Sequence, residues 1–396
     1  MTYRILTLDG GGSWALIEVR ALIALYGPQT KGHDVLKHFD MAAANSGGSI
    51  VLGGLIENYT LQYLLDMFHD ENKRRSFFPP IKHRALFPLV LSKFGIGPRY
   101  SAKDKLTGIQ RIMPHYGTAT LHDAAQDIKG YNGNSIHMAI VGFDYDRNLA
   151  TFFRSAATGQ TPESRLGIGK ITNVTVAEAI HASTNAPINY FNAPAVLHNG
   201  RRYWDGAISG CNNPVMAAVV EALSLGIDAK EIRALSIGTG TTALPWPQMG
   251  EKQSPYVTQQ SDTDIVTGIQ KLAKAILDEP VDCASLVAHI ITSAGMAPHD
   301  SHVVRMNPQL SPERTADGQW GPPGDLDEKT FTAIRDLDMD AIKPEDVRLI
   351  DKLTDQWLAD KIANQPVRCD GDTLACELGD PLFSKALEHW MAIVAA

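Results

Sequence analysis

An α/β fold is predicted by three features of the chain. Tyr3 to Leu8 reads as a short buried strand that passes through Asp9-Gly10-Gly11-Gly12 into a largely apolar helix, Trp14 to Tyr26. Phe39 to Asn45 repeats the pattern: a small-residue strand ends at Ser46-Gly47-Gly48, and a helix begins over Gly47 to Leu55. The 396 residues are 44% hydrophobic and 20% charged, enough to bury a large core, and the continuous spread of motifs favours one elaborated domain over two compact units.

The glycines of the first turn have a chemical use. N–H groups at a helix start lack intrahelical acceptors and point toward negative charge. Glycine lets the backbone approach a ligand closely and adopt dihedrals that a side chain forbids, as an oxyanion hole requires. Gly10, Gly11 and Gly12 are therefore candidate oxyanion donors. The same loop, as Gly10-x-Gly12-x-x-Ala15, also fits a dinucleotide fingerprint. That reading needs an acid at the carboxyl end of the second strand, whereas Asp40 stands at its beginning and Asn45-Ser46 at its end. The acid is at the wrong end, which makes dinucleotide binding the weaker reading.

Ser46 sits at the tip between the second strand and its helix. A nucleophile elbow needs small residues two positions before and after the serine because the turn is tight. Here they are Ala44 and Gly48, with a methyl group where glycine is usual. A serine hydroxyl is protonated at neutral pH and needs a base. The best candidate is Asp205, in Tyr203-Trp204-Asp205-Gly206-Ala207, at a strand end with its carboxylate facing a cleft. Of thirteen histidines, His181 is the nearest candidate for a triad. It reads instead as a structural histidine near a helix start.

Taken in order, these blocks resemble the patatin-like phospholipase family, lipid acyl hydrolases that use a Ser-Asp dyad. The glycine block is Asp9 to Gly12, the elbow Ala44 to Gly48, and the aspartate block Asp205-Gly206-Ala207. Three intervening or following stretches are similar too: Ala182-Ser183-Thr184-Asn185-Ala186-Pro187, Asn212-Asn213-Pro214 and Leu235 to Gly240, with Val304-Arg305-Met306-Asn307 matching a late strand. One departure is that the family's glycine block usually continues with a basic residue and a glycine, where this chain has Ser13-Trp14-Ala15; Arg20 on the next helix is a candidate to compensate.

The resemblance implies a three-layer α/β/α fold with a mainly parallel central sheet and a helical C-terminal extension. It implies a domain over 1–365 with a tail, 366–396, packed on it. It implies hydrolysis of carboxylic esters of phospholipids or related glycerolipids through Ser46 and Asp205 and an acyl-enzyme, with Gly10, Gly11 and Gly12 holding the oxyanion, and with neither cofactor nor metal. A lipid substrate and a transient membrane or micelle interface are the expected partners. The alternative is a catalytically latent or non-catalytic lipid-binding relative.

Composition agrees with a cytoplasmic globular enzyme, and peripheral contact with membranes is expected from the resemblance alone. The net charge of −8 argues against general nucleic-acid binding and against wholesale attraction to anionic membranes. No apolar run approaches the roughly 18 residues that span a bilayer, and no signal segment is expected ahead of the first strand. Cys211, Cys283, Cys369 and Cys376 lack the close spacing of zinc sites.

The remaining stretches are organisational. Lys73-Arg74-Arg75 through Lys82-His83-Arg84, then Leu86 to Leu91, reads as a solvated loop followed by a buried helix, with a lipid-contacting lid as the functional reading. Ile136 to Phe143 and Ala150 to Phe153 form a hairpin whose turn aspartates bond their own backbone. Thr241 to Asp262 and Pro312 to Asp327 read as surface loops, and Ile265 to Leu277 as a helix. Pro344 to Ile362 reads as a helix with a core stripe at Val347, Ile350, Thr354, Trp357 and Leu358.

Overall fold

The computed structural model describes residues 2–81, 97–155, 174–247, 254–259, 281–293, 300–370 and 373–395. Eight strands make one sheet: β1 (Tyr3–Leu8), β2 (Met41–Ala44), β3 (His137–Asp144), β4 (Leu149–Arg154), β5 (Ala195–Val196), β6 (Arg202–Asp205), β7 (Ile232–Ile237) and β8 (Val303–Met306). Pairing follows β5-β6-β3-β2-β1-β7-β8, with β4 also on β3. The run from β3 through β2, β1 and β7 to β8 is parallel; β4 and β6 join β3 antiparallel, and β5 joins β6 antiparallel.

Thirteen helices are described: α1 (Leu16–Tyr26), α2 (Gly32–Leu36), α3 (Ser46–Ile56), α4 (Leu61–His69), α5 (Glu71–Phe77), α6 (Ala102–Ile112), α7 (Leu121–Gln126), α8 (Val176–Ser183), α9 (Val215–Ser224), α10 (Val281–Thr292), α11 (Glu328–Arg335), α12 (Pro344–Leu358) and α13 (Phe383–Ala395). The alternation of side chains along the strands sorts them into layers. Leu6, Leu8, Ala42 and Ala44 face a large core shared with α1, α3, α8 and α12. Ile5, Met41, Ala43 and Ala234 face a smaller one under α9 and α10. The chain therefore folds as a three-layer α/β/α protein with a mainly parallel sheet, as expected from the sequence.

Three expectations change. Residues 71–77 form helix α5, capped by Asp70; Arg74 is buried, with its guanidinium on the carbonyls of Phe68 and Ile342, and Phe77 and Phe78 are buried, so this is not a solvated loop. In the stretch after Thr241, Tyr256 and Val257 are buried and Tyr256 packs on Phe331, so that loop is partly internal. Helix α12 ends at Leu358, where Asp360 takes a left-handed φ of 56°. Its stripe is core: Val347, Ile350, Thr354 and Trp357 are buried. The segment 86–91 and the helix expected over 265–277 lie outside the described residues. The hairpin is present, and Asp144 accepts from Arg147 N–H at 3.1 Å, a turn bond to its own backbone.

Candidate active site

The topology explains how two loops distant in sequence meet. Ala44 at the end of β2 pairs with Ile140 of β3, and Asp205 at the end of β6 pairs with Gly142. Because β4 pairs Ile140 and Gly142 from the other side, β2 and β6 share one edge of β3 and run toward each other. A strand advances about 3.3 Å per residue, so Ser46 and Asp205 arrive in contact. The Ser46 hydroxyl stands beside the Asp205 carboxylate, close enough to pull its pKa down.

Ser46 has a left-handed φ of 44°, whereas Asn45 is extended at φ −127° and ψ 148°. A non-glycine residue at positive φ costs free energy, and such strain is found at functional sites. The elbow's distortion thus falls on Ser46 itself. Ala44 lies within β2 and points into the core, which is why its methyl group replaces the usual glycine without conflict. Gly48 cannot be replaced so easily: a Cβ there would lie 2.5 Å from the Leu8 carbonyl oxygen and 2.6 Å from that of Asp9.

Asp205 is 2% exposed and accepts from Ala207 N–H at 2.9 Å and from Asn45 Nδ2 at 3.3 Å. Burial pushes its pKa up to about 6, against the opposing pull of those hydrogen bonds, the Ser46 hydroxyl and the Lys105 ammonium. A carboxylate with that pKa can accept a proton near neutral pH.

The glycine loop lies beside the pair. A Cβ on Gly10 would stand 3.1 Å from Ser46 Cβ. Its N–H is donated to the Asn212 carbonyl at 2.9 Å, so Gly10 holds the loop rather than offering a free donor. Gly11 has Thr239 packed where a side chain would go, and Gly12 takes φ 59° against the Met339 carbonyl. Below the loop, Asp9 forms a buried ion pair with Arg305 Nη2 at 2.5 Å, and burial raises the Asp9 pKa to about 6.

The other sequence motifs hold these loops. Ser183 Oγ accepts Ser46 N–H at 2.9 Å, the Asn185 carbonyl accepts Asp205 N–H at 3.1 Å, and Thr239 Oγ1 donates to the Gly10 carbonyl at 2.7 Å. His181 is in the last turn of α8, not near its start, and forms no hydrogen bond to Ser46 or Asp205 among the described residues; burial keeps its pKa well below the usual histidine value. Arg20 does not reach the glycine loop, being paired with Asp351 and Asp355 of α12.

Three contacts were not visible in the sequence. The segment between α11 and α12 crosses the loop: Ser13 N–H donates to the Met339 carbonyl at 2.9 Å, the Ser13 hydroxyl to the Asp340 carbonyl, and Trp14 Nε1 to the Asp338 carbonyl at 3.2 Å. The departure at Ser13-Trp14 is thus matched by this strap. Arg99 in turn pairs with Asp338 and Asp340, each at 3.0 Å. The loops and strap enclose a cavity of about 770 Å³, lined by Ser46 and Asp205 and by apolar groups including Trp14, Ile188, Leu310 and Leu337. No group of three or more His, Cys, Asp or Glu side chains among the described residues is arranged to hold a metal.

The α/β/α sheet and its loops define the class of fold, and the chain belongs to the patatin-like phospholipase family, which it matches over residues 6–219. That membership supports lipid hydrolase activity. Among individual proteins, it is 31% identical over 100 residues to an intracellular phospholipase A2 of Caenorhabditis elegans, a stretch covering 24% of this chain and 9% of that protein. The chain therefore spans a small part of that relative. Among solved structures it is similar to VipD from Legionella pneumophila, at TM-score 0.36 and 11% identity over 90% of this chain and 67% of that one. The type III effector protein ExoU is similar at TM-score 0.23 and 15% identity, over 46% and 39%. No helix among the described residues is long and apolar enough to cross a membrane.

Proposed function

We propose that the chain is a serine acyl hydrolase that cleaves carboxylic esters of phospholipids or related glycerolipids through Ser46 and Asp205. The observation that supports this most is the strained Ser46 beside a buried carboxylate whose pKa lies near 6. Asp205 takes the hydroxyl proton as Ser46 Oγ attacks the ester carbonyl carbon. The carbonyl oxygen becomes an oxyanion held by the N–H groups of Gly11 and Gly12, with Gly10 fixing the loop. The intermediate collapses, the alcohol leaves with the proton from Asp205, and water hydrolyses the acyl-enzyme by the same route.

The apolar walls of the cavity suit an acyl chain. The enzyme acts as a peripheral visitor to membrane or micelle surfaces in the cytoplasm. The test is incubation of wild type and Ser46→Ala with a fluorophosphonate, read by intact mass, alongside hydrolysis of a mixed glycerolipid panel. Labelling and hydrolysis both lost in the variant are expected. A folded wild type that is neither labelled nor active would favour the latent or lipid-binding alternative.

A further inference from the structure

Helix α6 brings a lysine to the back of this site. Lys105 is fully buried, and its Nζ donates to Asn185 Oδ1 at 3.0 Å while lying 3.8 Å from the centre of the Phe191 ring. Asn185 is the residue whose carbonyl accepts Asp205 N–H, and its own Nδ2 is anchored on the Ala193 carbonyl at 2.8 Å. One asparagine therefore joins the ammonium to the backbone of the carboxylate.

A buried ammonium is costly unless a counter-charge answers it. An amide oxygen and an aromatic face supply part of that stabilisation. The titratable groups on the elements packed against α6 are otherwise engaged or neutral. Arg74 of α5 is bonded to main-chain carbonyls, Glu71 pairs with Arg75, and Lys73 lies over the Tyr63 ring. On α8, Glu178 is turned to His198, and His181 is kept neutral by burial first and by Lys105 second. Asp205 is the carboxylate whose field acts on Lys105, and the effect is mutual: burial holds the lysine pKa well below its ordinary value with Asp205 opposing that fall, while Lys105 lowers the pKa of Asp205.

We propose that Lys105 is a positioning residue for the hydrolase site, a buried ammonium held by Asn185 and Phe191 that keeps Asp205 ionised and aimed at Ser46. The inference rests on the reading of Asp205 as the proton acceptor. Lys105 touches neither the serine nor the ester, so its effect passes through the carboxylate. Removing its charge makes Asp205 harder to ionise, and activity survives only at higher pH.

The rate of fluorophosphonate labelling of Ser46 between pH 4.5 and 8 tests this, in wild type and in Lys105→Met, which keeps the alkyl contact with Phe191. The acid limb of the profile is expected to move up by about one pH unit, so that labelling at pH 5.5 drops about tenfold relative to wild type and the gap narrows as pH rises. A limb at the same pH in both proteins, with a uniform loss of rate, would mean a merely structural lysine and overturn the proposal. Wild-type labelling that persists in Ser46→Ala would overturn the dyad reading, and this inference with it.

A second measurement needs neither turnover nor a folded Lys105 variant. The ε-carbon of Lys105 is titrated by NMR in ε-13C-lysine-labelled wild type and Asp205→Asn. Coupling is reciprocal, so loss of the carboxylate should lower the lysine midpoint by about one unit. An unchanged midpoint would sink the idea.

Discussion

Burial gives Asp205 the basicity that a surface carboxylate lacks. In the proposed mechanism it must be ionised to accept a proton, and its pKa is about 6. kcat/KM should therefore fall below about pH 6, by roughly tenfold per pH unit; a profile flat down to pH 4.5 would exclude this role. Glu18 shows the same physics without a catalytic use. It is fully buried in α1, and burial first and Asp9 second hold its carboxyl pKa well above the usual value. The folded state then binds the proton more tightly than the unfolded chain. The stability this contributes is present below the unfolded pKa of about 4.3 and is lost as pH rises through the folded one. Glu18→Gln removes that loss, so its melting temperature should exceed that of wild type by more at pH 8 than at pH 5.

Helix α3 is the element that seats the serine, and it is an unfavourable helix by composition. Its sequence has four glycines, each costing about 1 kcal/mol relative to alanine, and every residue is buried, so packing must hold it. The glycines differ in what they permit. A Cβ at Gly48 would meet two main-chain oxygens, whereas one at Gly53 would meet the mobile end of Ile180 at 2.5 Å. Gly48→Ala should cost about 3 kcal/mol in urea unfolding, and Gly53→Ala distinctly less. Equal costs would show that the close approach to β1 is not what fixes the elbow. The loops of this element and of β1 were legible in the sequence because strand, glycine turn and helix are local patterns. Asp205 was legible for a different reason, the order of the motifs. Lys105 belongs to none of those motifs, although Ala102, Lys105 and Ile109 share the buried face of α6 and a lysine on an apolar stripe is a usable signal. The strap at 338–340 has no such signature. Its contacts with Ser13 and Trp14 are made by main-chain carbonyls, which any sequence can supply.

At the scale of the molecule, the first strand's loop and a late strand are locked at one buried pair. Arg305 of β8 is bonded to Asp9 and, through Nη1, to Ser236 Oγ at 2.8 Å. Arg305→Met leaves Asp9 buried without its cation and should destabilise by about 3–5 kcal/mol in denaturant unfolding. Asp9→Asn in the same molecule should recover much of that loss, since the unpaired charge, not the missing contact, dominates the penalty. Simple addition of the two single effects would argue against a coupled pair.

The lock also sets a schedule for the nascent protein. Serine, glycine loop and aspartate have all left the ribosome long before Arg305 and the strap at 338–340 are synthesised. Until then the glycine loop lacks its cation beneath and its carbonyls above. A fragment of residues 1–300 made by in vitro translation should therefore resist fluorophosphonate labelling while the full chain accepts it. A cell making this lipid hydrolase would thereby be spared a lipid-cleaving activity from half-finished or prematurely terminated copies.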